Sequence, residues 1–199
     1  MVSAFTSNKF PGFSDVHVLE EPENNRAFRG RILLSVADAF AVTRAEKPTG
    51  CVEVRWAMGG SLPLDIIRTT IAPPVIVSDR VIEILEAGKF SGWKTYPVEL
   101  YRKDDISIRG YHGLAVCGRC GPIDDSRSVK FDKIMPGGVF AWWRGLYFDP
   151  ATWDGSDLFM PAGNIGWIFV VDAVKRALKE AKVKNVRFTP LDDVERMTL

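Results

Sequence analysis

The feature that most constrains this chain is one pattern stated twice. "PPVIVSDRVIEILEAGKF" and "GWIFVVDAVKRALKEAKV" each hold a short apolar run, an aspartate, and then apolar residues at helical spacing. In the first, the β-branched run from Val75 to Val77 reads as a buried strand. Val81, Ile84, Leu85 and Gly88 follow at i, i+3, i+4 and i+7, and Ser78 or Asp79 is placed to cap the helix start. In the second, "WIFVVD" reads as a strand ending in a capping Asp172. Val174, Ala177, Leu178 and Ala181 then share one helical face. An extended segment closes each unit, "WKTYPVEL" and "VRFTPL". A constant offset of 93 residues, without a gap, carries Val77 to Val170, Asp79 to Asp172, Val81 to Val174, Leu85 to Leu178, Lys89 to Lys182 and Pro97 to Pro190. Two amphipathic units can converge on such a pattern. The in-register terminal proline favours duplication.

The expectation is therefore an α+β (mixed α/β) fold, one domain over residues 1–199. Two related strand-helix-strand units, about 74–100 and 167–193, flank a strand-rich central segment. Residues 1–30 are polar and broken by Pro11, Gly12, Pro22 and Gly30, and read as irregular with one short strand near "DVHVLE". "ILLSVADAFAV" fits a helix or a strand equally, and "CVEVRWAM" alternates as a strand that Gly59 and Gly60 end. At 199 residues, 46% hydrophobic and 26% charged, the chain is long enough for a core without covalent staples.

The 26 basic and 25 acidic residues give a net charge of +1, so nothing global points to nucleic acid or an acidic membrane. No apolar run follows a basic start at the N-terminus. No stretch approaches the ~18 apolar residues of a membrane helix, and "GWIFVVDAV" is broken by Asp172. A cytoplasmic protein with no membrane or nucleic-acid partner is the expectation. The basic residues Lys175, Arg176, Lys179, Lys182 and Lys184 read as a solvated helix face.

"AVCGRCGPIDDSRS" offers the most chemistry. Cys117 and Cys120 have the spacing of half a zinc site. A closed site needs four ligands, and the chain adds only Cys51, His17 and His112. A redox pair belongs at a helix N-terminus, whereas Gly121-Pro122 favours a turn. The favoured reading is two small apolar residues ending a strand. Asp124, Asp125 and Arg127 then form a polar loop. Paired carboxylates can serve metal-assisted hydrolysis, but adjacent acids on a strand point to opposite faces and such runs are common in turns. "MGGSLP" and "MPGGVF" lack the lysine and spacing of a phosphate loop. "FAWWRGLYF", with Trp142 and Trp143, reads as aromatic core or a protein interface.

The order of these pieces resembles a known family. "VSDRV", a helix, "YPVEL", a central loop with "D..S", then "DLF", "VVDAVKRAL" and a closing "V.F.PL" resemble the eleventh numbered family of immunity proteins of bacterial polymorphic toxin systems, over residues 60–192. "CGRCG" is also similar to the cysteine motif of a related myxobacterial immunity group that carries two such motifs, where this chain has one. The resemblance implies a binding protein, not an enzyme, that occludes a cognate toxin without a cofactor. Such surfaces combine aromatic anchors with charge complementarity. Asp124, Asp125, Arg127, Trp142 and Trp143 are the candidate surface. A homo-oligomer is compatible with the sequence. A small metal-assisted enzyme using the Asp124–Arg127 loop, and a module stabilised by zinc at Cys117 and Cys120, stand as alternatives.

Overall fold

A computed structural model describes residues 9–22, 26–46, 50–70, 75–163 and 166–197. Pro73 and Pro74, which lead into the first repeat, and residues 1–8 and 23–25 of the N-terminal segment lie outside the described residues. In chain order the elements begin β1 (Val16–Glu20), β2 (Arg29–Ile32), α1 (Val36–Thr43), β3 (Val52–Met58), β4 (Ile66–Thr69), β5 (Val75–Ser78), α2 (Asp79–Ala87), β6 (Trp93–Tyr101) and β7 (Ser107–Ile108). They continue β8 (Tyr111–Val116), β9 (Gly118–Cys120), β10 (Val129–Met135), β11 (Gly138–Arg144), β12 (Leu158–Pro161), β13 (Phe169–Val171), α3 (Asp172–Glu180), β14 (Arg187–Pro190) and β15 (Glu195–Arg196).

The fold is α+β. One sheet runs β3-β2-β4-β5-β8-β6-β7, and a parallel pairing of β3 with β6 closes six of its strands into a barrel. A second sheet runs β14-β1-β13-β12-β9, and a third, β10-β11-β15. Strand alternation distributes the apolar residues between cores. On β5, Ile76 points into the barrel with Ile67, Tyr96 and Leu100. Val75 and Val77 point outward, onto Val81 and Leu85 of α2 and Val174 and Leu178 of α3. Full burial of a leucine such as Leu85 or Leu178 contributes about 1.5–3 kcal/mol. A third cluster, built on Phe148, Phe159 and Phe169, covers the far face of the second sheet. The ambiguous "ILLSVADAFAV" divides: Ile32 ends β2, and Ser35 caps α1 by accepting from the Asp38 N–H.

The two helices lie 93 residues apart from end to end, and their exits match bond for bond. The Gly88 N–H donates to the Ile84 carbonyl and the Ala181 N–H to that of Ala177. Phe90 N–H donates to Leu85, and Val183 N–H to Leu178. Lys89 and Lys182 are both left-handed, at φ 52° and 54°. In each unit an antiparallel strand from elsewhere in the chain separates the two parallel strands: β8 between β5 and β6, β1 between β13 and β14. The registers agree, with His112 opposite Val77 and Pro97, and His17 opposite Val170 and Pro190.

The chain's two histidines therefore occupy equivalent positions. His112 Nε2 lies 2.7 Å from Asp79 Oδ1, and His17 Nε2 lies 3.2 Å from Asp172 Oδ1. They differ in environment. His17 is buried, with Lys175 Nζ 3.0 Å from the same nitrogen. Burial first, then the Lys175 charge, holds its pKa below the usual imidazole value.

Two aspartates lock the units together. Asp65 precedes β4 and its Oδ2 accepts from the Lys184 N–H at 2.8 Å. Asp157 precedes β12 and its Oδ2 accepts from the Ser91 N–H, also at 2.8 Å. Lys184 and Ser91 are themselves 93 residues apart, so the segment leading into each unit caps the turn that follows the other unit's helix. Asp65 also takes the Ser78 hydroxyl at Oδ1, which is why Ser78 sits at the N-cap of α2 without bonding the helix N–H groups.

The short strand expected near "DVHVLE" is β1. It is an interior strand of the five-stranded sheet, and Val16 and Val18 are buried in its aromatic core. "VHVLE" is only five residues long and holds a buried histidine, so the run marks a strand without marking its interior place.

Candidate partner-binding surface

The third sheet stands out from the other two because it is thin and largely bare. "VKFDKIM" and "GVFAWWR" alternate as strands, and Pro136-Gly137 joins them in a two-residue turn with Gly137 at φ 104°. Val129, Phe131, Lys133, Met135, Phe140, Trp142 and Arg144 project to one side. Lys130, Asp132, Ile134, Val139, Ala141 and Trp143 project to the other. At the base of the hairpin the rings are covered by cations. Lys133 Nζ lies 4.2 Å from the Trp142 ring centroid, Lys130 Nζ 5.4 Å from that of Trp143, and the Arg144 guanidinium 5.3 Å from that of Phe131. Towards the tip the apolar groups are more open. Ile134 is 85% exposed and Val139 64%, with Met135 and Phe140 also exposed.

The base is anchored by β15. Glu195 accepts from Lys133 Nζ at 2.8 Å and from Arg144 at 2.7 Å, tying both hairpin strands to the third. Those two hydrogen bonds, Lys133 first, hold the Glu195 carboxyl below its usual range. Arg196, opposite Trp143 in the ladder, reaches back to Asp125 at 2.5 Å and so fixes the turn that leads into β10.

The five residues singled out in the sequence are thus brought to one sheet and its lead-in turn, but their duties differ. Asp124 accepts from the Ser126 N–H and hydroxyl and shapes the turn. Asp125 is in the ion pair with Arg196. Arg127 packs on the edge-to-face pair of Phe13 and Tyr147, 4.9 and 4.7 Å from their ring centroids. Trp142 and Trp143 are half-buried at the base, and the Trp142 Nε1–H is buried without a hydrogen-bond partner. The two adjacent carboxylates are therefore engaged separately and do not converge on a shared position. The bare tip, Ile134, Met135, Val139 and Phe140, was not anticipated. Its signal was present in "IMPGGVF", two alternating runs joined by Pro-Gly-Gly, which is a hairpin pattern as well as a failed phosphate loop.

"CGRCG" carries the chain from one sheet to the next. Cys117 is the single residue between β8 of the barrel and β9, which pairs parallel with β12. Cys120 is buried in the aromatic core, and burial pushes its thiol pKa up to about 12. Cys51 is exposed and the histidines are bonded to aspartates in separate units. Among the described residues, no three of His, Cys, Asp and Glu form a group able to hold a metal ion. Among them also, no helix is long and apolar enough to cross a membrane.

No protein-family model matches this chain, and no curated protein matches it either.

Proposed function

We propose that the chain is a binding protein of the toxin-immunity kind, which captures a cognate bacterial toxin through the β10–β11 hairpin. The observation that carries this reading is the uncovered apolar tip on a cation-rich base. Contiguous exposed apolar groups on a soluble domain mark interaction sites, and aromatic anchors flanked by arginine and lysine are the usual energetic centres of interfaces. β10 is also an edge strand, so its outward backbone groups can pair with a strand of a partner. The resemblance in sequence supplies the identity of the partner class, and cytoplasmic residence follows from that role.

The test is co-expression with the toxin encoded beside this gene. The wild-type chain should protect the cell and co-purify with the toxin. Ile134→Asp combined with Phe140→Ser should abolish both while leaving the melting temperature unchanged, because neither side chain packs in a core. Full protection by that double variant would remove the hairpin from the proposal, and failure of the wild type would remove the toxin.

We further infer that the two strand-helix-strand units descend from one duplicated unit. The inference is supported by the shared offset of helices, helix-exit hydrogen bonds, left-handed lysines and histidine registers.

A further inference from the structure

A second site lies where the barrel meets the five-stranded sheet. A cavity of about 350 Å³ opens there, lined by Glu20, Glu21, Arg29, Arg68, Trp167 and Arg187 among others. That is at the small end of the ~300–1,000 Å³ typical of ligand pockets. Arg29 on β2 and Arg68 on β4 are directly registered partners in a parallel ladder, so two guanidiniums share one face of neighbouring strands. Like charges placed so are destabilising unless something offsets them. Two carboxylates are present, and each is taken up elsewhere. Glu21 is bonded to Arg29, and Glu20 accepts from Arg187 at 2.9 Å and Thr189 at 2.5 Å. Among the described residues, one guanidinium charge of the three has no carboxylate hydrogen-bonded to it.

Arg68 carries that charge. Its Nη2 donates to the Leu19 carbonyl, whereas its Nε–H is buried and has no hydrogen-bond partner among the described residues. A buried donor left unmade costs about 1–3 kcal/mol, more for a charged group. Burial also pulls the Arg68 pKa down to about 10, against the opposing pull of the Glu21 and Glu20 charges. Trp167 is half-buried and supplies a flat apolar wall to the same cavity.

We propose that this cavity is a binding site for a small oxyanion, a carboxylate or phosphate carried on a compact flat body, with the oxyanion on Arg68 and the body against Trp167. An anion there faces the Arg68 guanidinium and offsets the repulsion between Arg29 and Arg68. Planar guanidinium suits both oxyanions, and the pairing is strongest where water is excluded. The proposal does not rest on the toxin reading.

Titration calorimetry with four probes tests it: benzoate, phenyl phosphate, inorganic phosphate and the neutral benzamide. Benzoate or phenyl phosphate should bind saturably at one site per chain, with benzamide weaker by about tenfold or more, the worth of a charged hydrogen bond. The better of the two names the oxyanion. Inorganic phosphate should bind more weakly than phenyl phosphate; equal affinity overturns the role of Trp167. Arg68→Lys keeps the charge but loses the Nε–H, and Arg68→Gln loses both; each should weaken binding by about tenfold or more. If an Arg68 variant does not fold, Trp167→Ala and the benzoate–benzamide comparison on the wild-type protein still decide. No saturable binding of any oxyanion probe to the wild type, or affinity unchanged in a folded Arg68→Lys chain, overturns the proposal.

Discussion

Asp65 is the side chain through which the segment leading into the first unit holds the second, and removing it should be felt by the whole domain. Its carboxylate is 14% exposed and accepts from the Lys184 N–H at 2.8 Å, from the Ser78 hydroxyl at 3.1 Å and from Arg80 at 3.4 Å. The Arg80 side chain is 49% exposed, so that pair adds less than about 1 kcal/mol. The other two are hydrogen bonds to a charged acceptor, each of a kind with a net contribution of about 1.5–3 kcal/mol, and Asp65→Ala leaves the Lys184 N–H without its acceptor. A loss of about 3 kcal/mol is expected. For a chain of this length that lowers the melting temperature by roughly 6–12 °C. Urea unfolding followed by both fluorescence and circular dichroism gives the free-energy change, provided the two probes coincide. Asp65→Asn retains a carbonyl acceptor for Lys184 and should lose about half as much. A loss below about 1 kcal/mol for the alanine variant would refute the interlock, and equal losses for alanine and asparagine would show that the backbone cap is not its basis.

Further outcomes follow from single buried groups. The lowered pKa of His17 means that the unfolded chain takes up its proton first. Its stabilising contribution is therefore complete above the unfolded value near ~6.5 and declines as pH falls below it, by at most about 1.4 kcal/mol per pH unit. Urea midpoints between about pH 5 and 7.5 should show that slope, and His17→Gln should flatten it. Tyr96 lies in the barrel core with its hydroxyl buried and unpartnered, so Tyr96→Phe should be neutral or stabilising by about 1 kcal/mol in thermal melts. The ring lies over Gly113, where a Cβ would come within 2.0 Å of it; Gly113→Val should cost about 2 kcal/mol or more by overpacking. Mass spectrometry after brief iodoacetamide treatment near pH 8 should find Cys51 alkylated and Cys120 intact, since the latter is buried with its thiol pKa pushed up to about 12.

The parts of the fold that were legible in the sequence are those written in short-range periodicity. The spacing of Val81, Ile84 and Leu85, and of Val174, Ala177 and Leu178, located both helices, and the strands at Val75–Ser78, Val52–Met58 and Arg187–Pro190 follow from β-branched or alternating runs. What could not be read is set by long-range pairing. Barrel closure depends on Val52 meeting Val98 and Val54 meeting Leu100, and no local pattern encodes that. β1 takes its partners from residues 169–190. The candidate surface was half legible. Trp142 and Trp143 drew attention because aromatic density is visible in composition, whereas the exposure of Ile134 depends on there being no layer above it. The crowding of Arg29 and Arg68 likewise exists only once β2 and β4 are adjacent.

The place of β1 has a consequence for how the chain is made. It leaves the ribosome well before its partners, for Val16 pairs with Val171 and Glu20 with Arg187. Synthesis at ~5–20 residues per second delays those partners by several seconds or more. The barrel strands β2 to β8 can associate meanwhile, because all of them are already present. The five-stranded sheet cannot form until residues 169–190 have been made. A nascent chain stalled before residue 169 should therefore hold a protease-resistant barrel and an N-terminal strand that is still open to cleavage.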